Sequence, residues 1–263
     1  MDASTGLLYC SLCHTPKQKR LFLPSIGEHT VHLLCQCQRE KQEKESKKRD
    51  EREHFQKIQR LRSHGIHDPY LRDWTFEKDN GQNRQMLKMQ RYVDQWSKAK
   101  EDNLGLLLWG GVGTGKSFAA ACIANALIER HVPVLMTNFP KILLALNKQH
   151  SEDRNAYMES FRQYSLLIID DLGAERNTGY ALEQVFHVVD SRYKSGKPLI
   201  VTTNLHLDEL TDPEDITHER IYNRVLEMCT PICFAGENLR KRKANEKMDK
   251  AMLLFEEETK NER

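Results

Sequence analysis

The 263-residue chain has no apolar run approaching the ~18 residues that a bilayer-spanning helix requires. No secretory leader is expected in its first residues either, because Cys10, Cys13 and His14 interrupt the apolar core such a leader needs. Net charge is nearly absent. With 40 Lys and Arg against 38 Asp and Glu leaving +2, any attraction to nucleic acid must come from local patches. No internal repeat is visible. These absences argue against a helical membrane protein and a repeat array. They lead to the expectation of a cytoplasmic protein with no membrane partner, in a reducing compartment where thiols stay free or bind metal. What is present is 39% hydrophobic residues, enough to bury a core, in a length that suits one large domain plus a small one.

Two cysteine pairs stand near the beginning, Cys10-x2-Cys13 and Cys35-x-Cys37. A close pair of thiolates chelates one ion and a second pair completes a tetrahedral shell. Cys10, Cys13, Cys35 and Cys37 are therefore the expected zinc ligands, with His14, His29 and His32 each able to replace a thiolate. The turn residues Gly6, Pro16, Pro24 and Gly27 leave this segment too little core to fold alone. Bound zinc would supply the deficit, about 10–16 kcal/mol in small zinc peptides.

The second pair opens directly into a charge run. From Arg39 to Glu53, 13 of the 15 residues are charged, seven positive and six negative. Glu40/Lys44, Glu43/Lys47, Glu45/Arg49 and Glu53/Lys57 are Glu-to-cation pairs at i,i+4, which predict a solvated helix. Phe55, Ile58 and Leu61 form one apolar face at its far end, and Gly65 closes it before Asp68-Pro69. A disordered linker is the alternative. As a helix, Arg39 to Ser63 would reach ~37 Å at 1.5 Å per residue. The near-cancelling charges make it a poor DNA-binding arm.

The stretch LGLLLWGGVGTGKSFAAACIANALIER carries the clearest chemistry. An apolar strand runs into Gly110, Gly111, Val112, Gly113, Thr114, Gly115, Lys116 and Ser117, and an alanine-rich helix follows: the strand–loop–helix context of a phosphate-binding loop. The glycines let backbone N–H groups wrap the phosphates of a nucleotide, and the helix N-terminus adds a favourable dipole. Lys116 is expected to reach the β- and γ-phosphates and Ser117 to ligate Mg²⁺. Further along, SLLIIDDLG reads as a buried parallel strand ending in two acids. Asp170 is the candidate Mg²⁺ holder, and Asp171 the candidate general base on the attacking water. In GYALEQVFHVVDSRYKSG, Leu182, Val185, Phe186 and Val189 share a helical face. The strand PLIVTTN then brings Asn204 to its mouth, placed to hold the water or the γ-phosphate.

This series, completed by HERIYNRVLEMC and FAGENLRKR, resembles the AAA+ ATPases, and within them the DnaC/DnaI helicase loaders and the related IstB transposition ATPases. The resemblance covers roughly residues 68–243. It implies an α/β fold with a five-stranded parallel sheet and nucleotide outside the strands' carboxyl ends. It also implies Asn204 as the first sensor and Arg240 as the second. Arg224 is implied as an arginine finger reaching a neighbouring subunit's ATP in a homo-oligomer, with Arg220 as runner-up. Where many AAA+ enzymes carry glutamate this chain has Asp171, which suggests slow, switch-like hydrolysis. The expected organisation is a zinc-binding adaptor over 1–38, a charged helical linker over 39–65, the ATPase domain over 66–237, and a sensor II segment with charged tail over 238–263.

Family analogy also implies that the segment from Phe139 to Gln163 contacts single-stranded DNA. Lys141, Lys148, Arg154 and Arg162 would meet the backbone, and Phe139, Tyr157 and Phe161 would stack on bases. Packing of those aromatics in the core is the competing reading. Arg240 to Lys243 form a second basic candidate, beside an acidic run at Glu256 to Glu258. Cys122, Cys229 and Cys233 read as buried hydrophobes. The resemblance points to an ATP-dependent loader of a DnaB-type replicative helicase onto single-stranded DNA. An IstB-like ATPase assisting a transposase is the alternative, and a zinc-ribbon DNA-binding regulator is a third reading.

Overall fold

The charge run is helical. Helix α1 (Gln36–Gly65) begins inside the Cys-x-Cys pair and continues for 30 residues, so the disordered-linker alternative does not hold. The computed structural model describes residues 6–24, 27–81, 83–174, 178–213 and 215–261, and the side chains of the acidic run at Glu256 to Glu258 lie outside that description. The ion pairs along α1 are Lys41–Glu45 at 4.0 Å and Arg49–Glu53 at 3.9 Å, in the cation-first order and not the Glu-first order expected. All four side chains are at least 68% exposed, so hydration of the charges, more than pairing, keeps this surface in water. Among the described residues no helix is long and apolar enough to cross a membrane.

The chain divides into two units, residues 1–57 and 58–263. In the first, β1 (Gln18–Leu23) and β2 (Gly27–His32) form an antiparallel pair in register from Gln18↔His32 to Leu23↔Gly27. A single bridge joins Tyr9 to Pro16 beside it. Its strands face water on nearly every residue, and the only buried described residues of the unit are Cys10 and Cys35. The unit has a sulfur core where a larger fold would have a hydrocarbon one. Phe55, expected on the docking face, stays 61% exposed. It falls in the first unit, and the apolar anchor starts one turn later at Ile58.

The second unit starts at that turn. Ile58 is buried and Leu61 packs against the same core. Gly65 lies so close to the backbone of Val134 that a Cβ would overlap it, and Ile66 then bridges to Met136. Next come α2 (Gln85–Asp94) and α3 (Trp96–Glu101), followed by β3 (Gly105–Trp109), α4 (Lys116–Glu129) and β4 (Val134–Thr137). Helices α5 (Phe139–Asn147) and α6 (Ser151–Ser160) precede β5 (Leu166–Leu172), α7 (Gly179–Lys194) and β6 (Leu199–Thr203). The chain closes with α8 (Leu207–Thr211), α9 (Ile216–Met228), β7 (Cys229–Cys233) and α10 (Leu239–Asn261). Strand–helix alternation produces a five-stranded parallel sheet in the order β4-β5-β6-β3-β7, as the resemblance implied. Side-chain alternation along β3 sends Leu106 and Leu108 into a core with α2, α3 and α4, and Leu107 into a second core with α5, α7 and α9.

Burial decides two of the sequence ambiguities. Phe139 and Phe161 are buried, and Tyr157 packs partly buried against the same core, edge-on to Phe161 at 5.0 Å. These rings pack in the core, as their helical spacing allowed, and burial leaves Phe139 and Phe161 no face for base stacking. Cys122 and Cys229 are buried and Cys233 is half-buried. One buried cation has no acidic partner described: Arg192, 2% exposed, donates to the carbonyls of Tyr164, Ser165 and Pro198 and so ties α7 to the starts of β5 and β6.

Candidate functional site

The loop after β3 and the carboxyl ends of β5 and β6 converge on a cleft of about 390 Å³. Its lining includes Val112, Gly113, Thr114, Gly115, Lys116 and Ser117 from the loop and the start of α4, Asp170 and Asp171 from the end of β5, and Asn204 directly after β6. The phosphate-type loop owes its shape to close approach. Gly110 has φ +135°, and a Cβ there would stand 2.6 Å from the carbonyl oxygen of Phe234. Gly113 has φ +80° and lies against Asn238. The Thr114 hydroxyl closes the loop by donating to the Gly111 carbonyl at 2.9 Å.

Lys116 is 6% exposed, and its ammonium donates to the carbonyls of Gly110 and Gly111, each at 2.7 Å, and to Asn204 Oδ1 at 2.8 Å. The amide of Asn204 in turn donates to Asp171 Oδ1 at 2.7 Å. One polar chain therefore runs from the loop through β6 to β5. Burial lowers the pKa of Lys116, against the pull of Asp171 and Asp170. Burial raises that of Asp171, with the neighbouring Asp170 adding and Lys116 and Arg240 opposing. Arg240 lines the cleft from the start of α10. That helix is fixed to the loop by the Leu239 N–H donating to the Gly113 carbonyl at 3.0 Å, and Asn238 Oδ1 accepts from the N–H groups of Arg240 and Lys241. Ser117 and Asp170 face the same cleft and offer the hard oxygen donors that Mg²⁺ takes.

Arg224 and Arg220 are not among the cleft's lining residues. Arg224 pairs with Asp190 at 2.9 Å and lies over the ring of Phe186, 4.4 Å from its centroid. Arg220 stacks on the same ring at 4.5 Å. Residues given no role by the sequence also line the cleft, among them Trp74, Asn83 and Phe118, and Lys243 of the basic run joins them. Asn83 reaches the Thr114 carbonyl at 3.2 Å, and Trp74 lies 5.7 Å from Phe118. Phe118 directly follows the loop serine and was within reach of sequence inspection. Trp74 and Asn83 come from an irregular segment with no motif.

The second candidate site lies in the first unit. The sulfurs of Cys10, Cys13, Cys35 and Cys37 all lie within 4.8 Å of one another, with Cys35–Cys37 at 3.2 Å and Cys10–Cys37 at 3.6 Å. A tetrahedron with Zn–S bonds of about 2.3 Å has sulfurs about 3.8 Å apart, so this donor set fits zinc. Among the described residues no histidine joins the cluster. The Thr15 hydroxyl contacts Cys13 Sγ at 3.1 Å and accepts from the Gln36 N–H at 2.9 Å, linking the first pair to the start of α1. That hydroxyl leads the contacts holding the Cys13 thiol down at about 5. Sulfur contacts from Cys35, then Cys13 and Cys10, push Cys37 up to about 12.

Residues 37–247 match the family model described as IstB-like ATP binding protein. A Bacillus subtilis (strain 168) protein named replicative helicase loader DnaI is 27% identical over 180 residues, 63% of this chain and 58% of that protein. A Mycobacterium tuberculosis protein named as ATP-binding and in an insertion sequence is 25% identical over 154 residues, 57% of this chain and 59% of that protein. The chain thus spans less than two thirds of the length of each relative. The crystal structure of DnaI overlays with a TM-score of 0.56 at 24% identity, covering 68% of this chain and 98% of that one, a likeness of fold.

One zinc per chain is expected on metal analysis of the native protein, lost on Cys35→Ser plus Cys37→Ser and on acidification or chelation, because thiolate ligation competes with protons. Native protein without zinc, or an unchanged zinc content in the double variant, contradicts the assignment.

Proposed function

The chain belongs to the IstB-like ATP-binding protein family, and on that premise we propose that it is an ATP-hydrolysing loader that delivers a DnaB-type replicative helicase onto single-stranded DNA. The observation that carries the ATPase part is the polar chain Lys116–Asn204–Asp171, which joins the loop lysine to a carboxylate across two strands. In this mechanism the loop N–H groups and Lys116 compensate phosphate charge. Asp171 accepts the proton of the attacking water, and Asn204 orients that water. Ser117 and Asp170 would hold Mg²⁺, whose chemistry is to neutralise charge on the phosphate oxygens. Arg240 contacts the nucleotide of its own subunit. Lys148 and Lys241 are the better candidates for DNA backbone contact, since Lys141 pairs with Asp68, Arg162 with Glu159 and Arg242 with Glu246, Arg154 donates to backbone carbonyls, and Arg240 and Lys243 line the cleft.

The adaptor part rests on the first unit, which holds a four-cysteine cluster and exposed apolar residues including Leu12 and Phe22. A zinc-held surface followed by a charged helix suits a helicase grip better than it suits sequence-specific duplex recognition. The second reading is service to a transposase, favoured by the family description and by the insertion-sequence relative. A pull-down separates the two: intact protein should retain a DnaB-type helicase, and Cys35→Ser plus Cys37→Ser should release it while still binding ATP. Failure of the intact protein to retain helicase removes the loader reading.

Lys116→Ala should abolish most ATP binding. Asp171→Asn should keep binding and lower turnover by about 10²–10⁴, the usual contribution of a general base. Because burial raises the Asp171 pKa, turnover should fall with decreasing pH along a limb above the ordinary aspartate value of about 3.9. Wild-type turnover in the Asp171→Asn variant eliminates that residue from the chemistry.

Arg224 is proposed to serve a neighbouring subunit's ATP, exchanging the Asp190 carboxylate for phosphate on a shelf made by Phe186. Arg224→Ala should then lose turnover, by up to roughly 10³-fold or more on the scale of arginine fingers, while each subunit still binds ATP. Excess Lys116→Ala subunits, which still offer Arg224, should restore part of it. No rescue in a verified mixed assembly confines Arg224 to its own subunit.

A further inference from the structure

Successive residues of a regular strand point to opposite faces of the sheet, so the two consecutive acids at the end of β5 should not share a cleft. They do: both Asp170 and Asp171 line it. The reason is visible in the register. Ile169 pairs with Val201 but Leu172 pairs with Thr203, so β5 spends one residue more than β6 over this step. This is a bulge, and Asp171 takes φ +64° within it. Asp tolerates the left-handed region better than most residues do. The tolerance alone does not hold the bulge in place.

The Thr202 side chain stands where a regular ladder partner is missing. Its hydroxyl accepts from the backbone N–H of Asp171 at 2.9 Å and donates to Asp170 Oδ1 at 2.6 Å. A hydroxyl has one proton to give, so acceptance from Asp171 leaves that proton for Asp170. Thr202 is 1% exposed, so solvent has little access to replace either bond. Its neighbour repeats the device: Thr203 Oγ1 donates to the Leu172 carbonyl at 2.7 Å and accepts from the Leu205 N–H at 3.1 Å. The two hydroxyls close the bulge from both ends.

We infer that Thr202 is a positioning residue: it holds the bulge that brings both carboxylates to one cleft, and it fixes the rotation of Asp170 toward a bound cation. The inference rests on the reading of Asp170 as the Mg²⁺ holder. Outer partners of metal ligands typically change metal affinity by roughly 10- to 100-fold when removed, and the same scale applies here. Thr202→Val deletes the hydroxyl while keeping the β-branch. Thr202→Ser keeps the hydroxyl and deletes the methyl.

The test is a Mg²⁺ titration of fluorescent-ATP binding to the full-length chain, with binding in EDTA and the unfolding midpoint measured alongside. Thr202→Val should raise the half-saturating Mg²⁺ by about 10- to 100-fold and leave binding in EDTA unchanged, while Thr202→Ser matches wild type. A wild-type Mg²⁺ requirement in Thr202→Val overturns the inference. So does a raised requirement in Thr202→Ser, which would assign the effect to the methyl group. If Thr202→Val does not fold, Thr202→Ala, which adds no new contact, takes its place. If neither folds, the hydroxyl serves the fold and not the cation, and the inference fails. Asp170→Asn guards the underlying reading: an unchanged Mg²⁺ requirement in that variant removes Asp170 as the holder, a result separate from any outcome at Thr202.

Discussion

A single buried ammonium holds the nucleotide cleft together. Lys116 has three protons to donate and three acceptors to take them: two loop carbonyls and Asn204. The group is thereby fully satisfied by the protein, which is what allows a charge to be 6% exposed. The same three bonds tie the loop after β3 to the end of β6, and through Asn204 to Asp171 on β5. A phosphate oxygen that accepts a hydrogen bond from Lys116 must replace one of these acceptors. Phosphate binding and the positions of the two neighbouring strand ends are therefore coupled by hydrogen-bond count.

The two units meet the demand for a core in different ways. The second buries two hydrocarbon layers on either side of a parallel sheet. The first buries two cysteines and little else, and its hairpin offers no alternative. The buried groups of this unit are thus ones that fit a metal ion, whereas the sheet of the second unit packs by hydrocarbon alone. The charge run needs no core of its own, because its groups stay hydrated.

Much of this was legible in the chain. The loop from Gly110 to Ser117, the DD strand and the TTN strand were readable because backbone geometry and phosphate chemistry leave few residue choices at those positions. The cysteine spacing was readable for the same reason. Reading was weaker where packing decides. Phe55 shares a helical face with Ile58, yet only Ile58 reaches the core. Phe139 and Phe161 looked the same as stacking platforms or as core, and burial separates them. Thr202 has no role legible in PLIVTTN, since a β-bulge depends on strand pairing that is not local in sequence. The role of Asp190 is not legible locally because its partner Arg224 lies on another helix.

Helix α10 has a mechanical side. Its first residue is bonded to Gly113 in the phosphate-type loop, and Asn238 rests on the same glycine. The helix then runs 23 residues, about 34 Å at 1.5 Å per residue. A rod clamped at one end is a lever. Turning the Gly113 peptide so that the base tilts by about 10° would sweep the far end through about 6 Å, given that length. A small tilt at the Gly113 peptide is thus magnified at the other end of the helix into a displacement the size of a side chain.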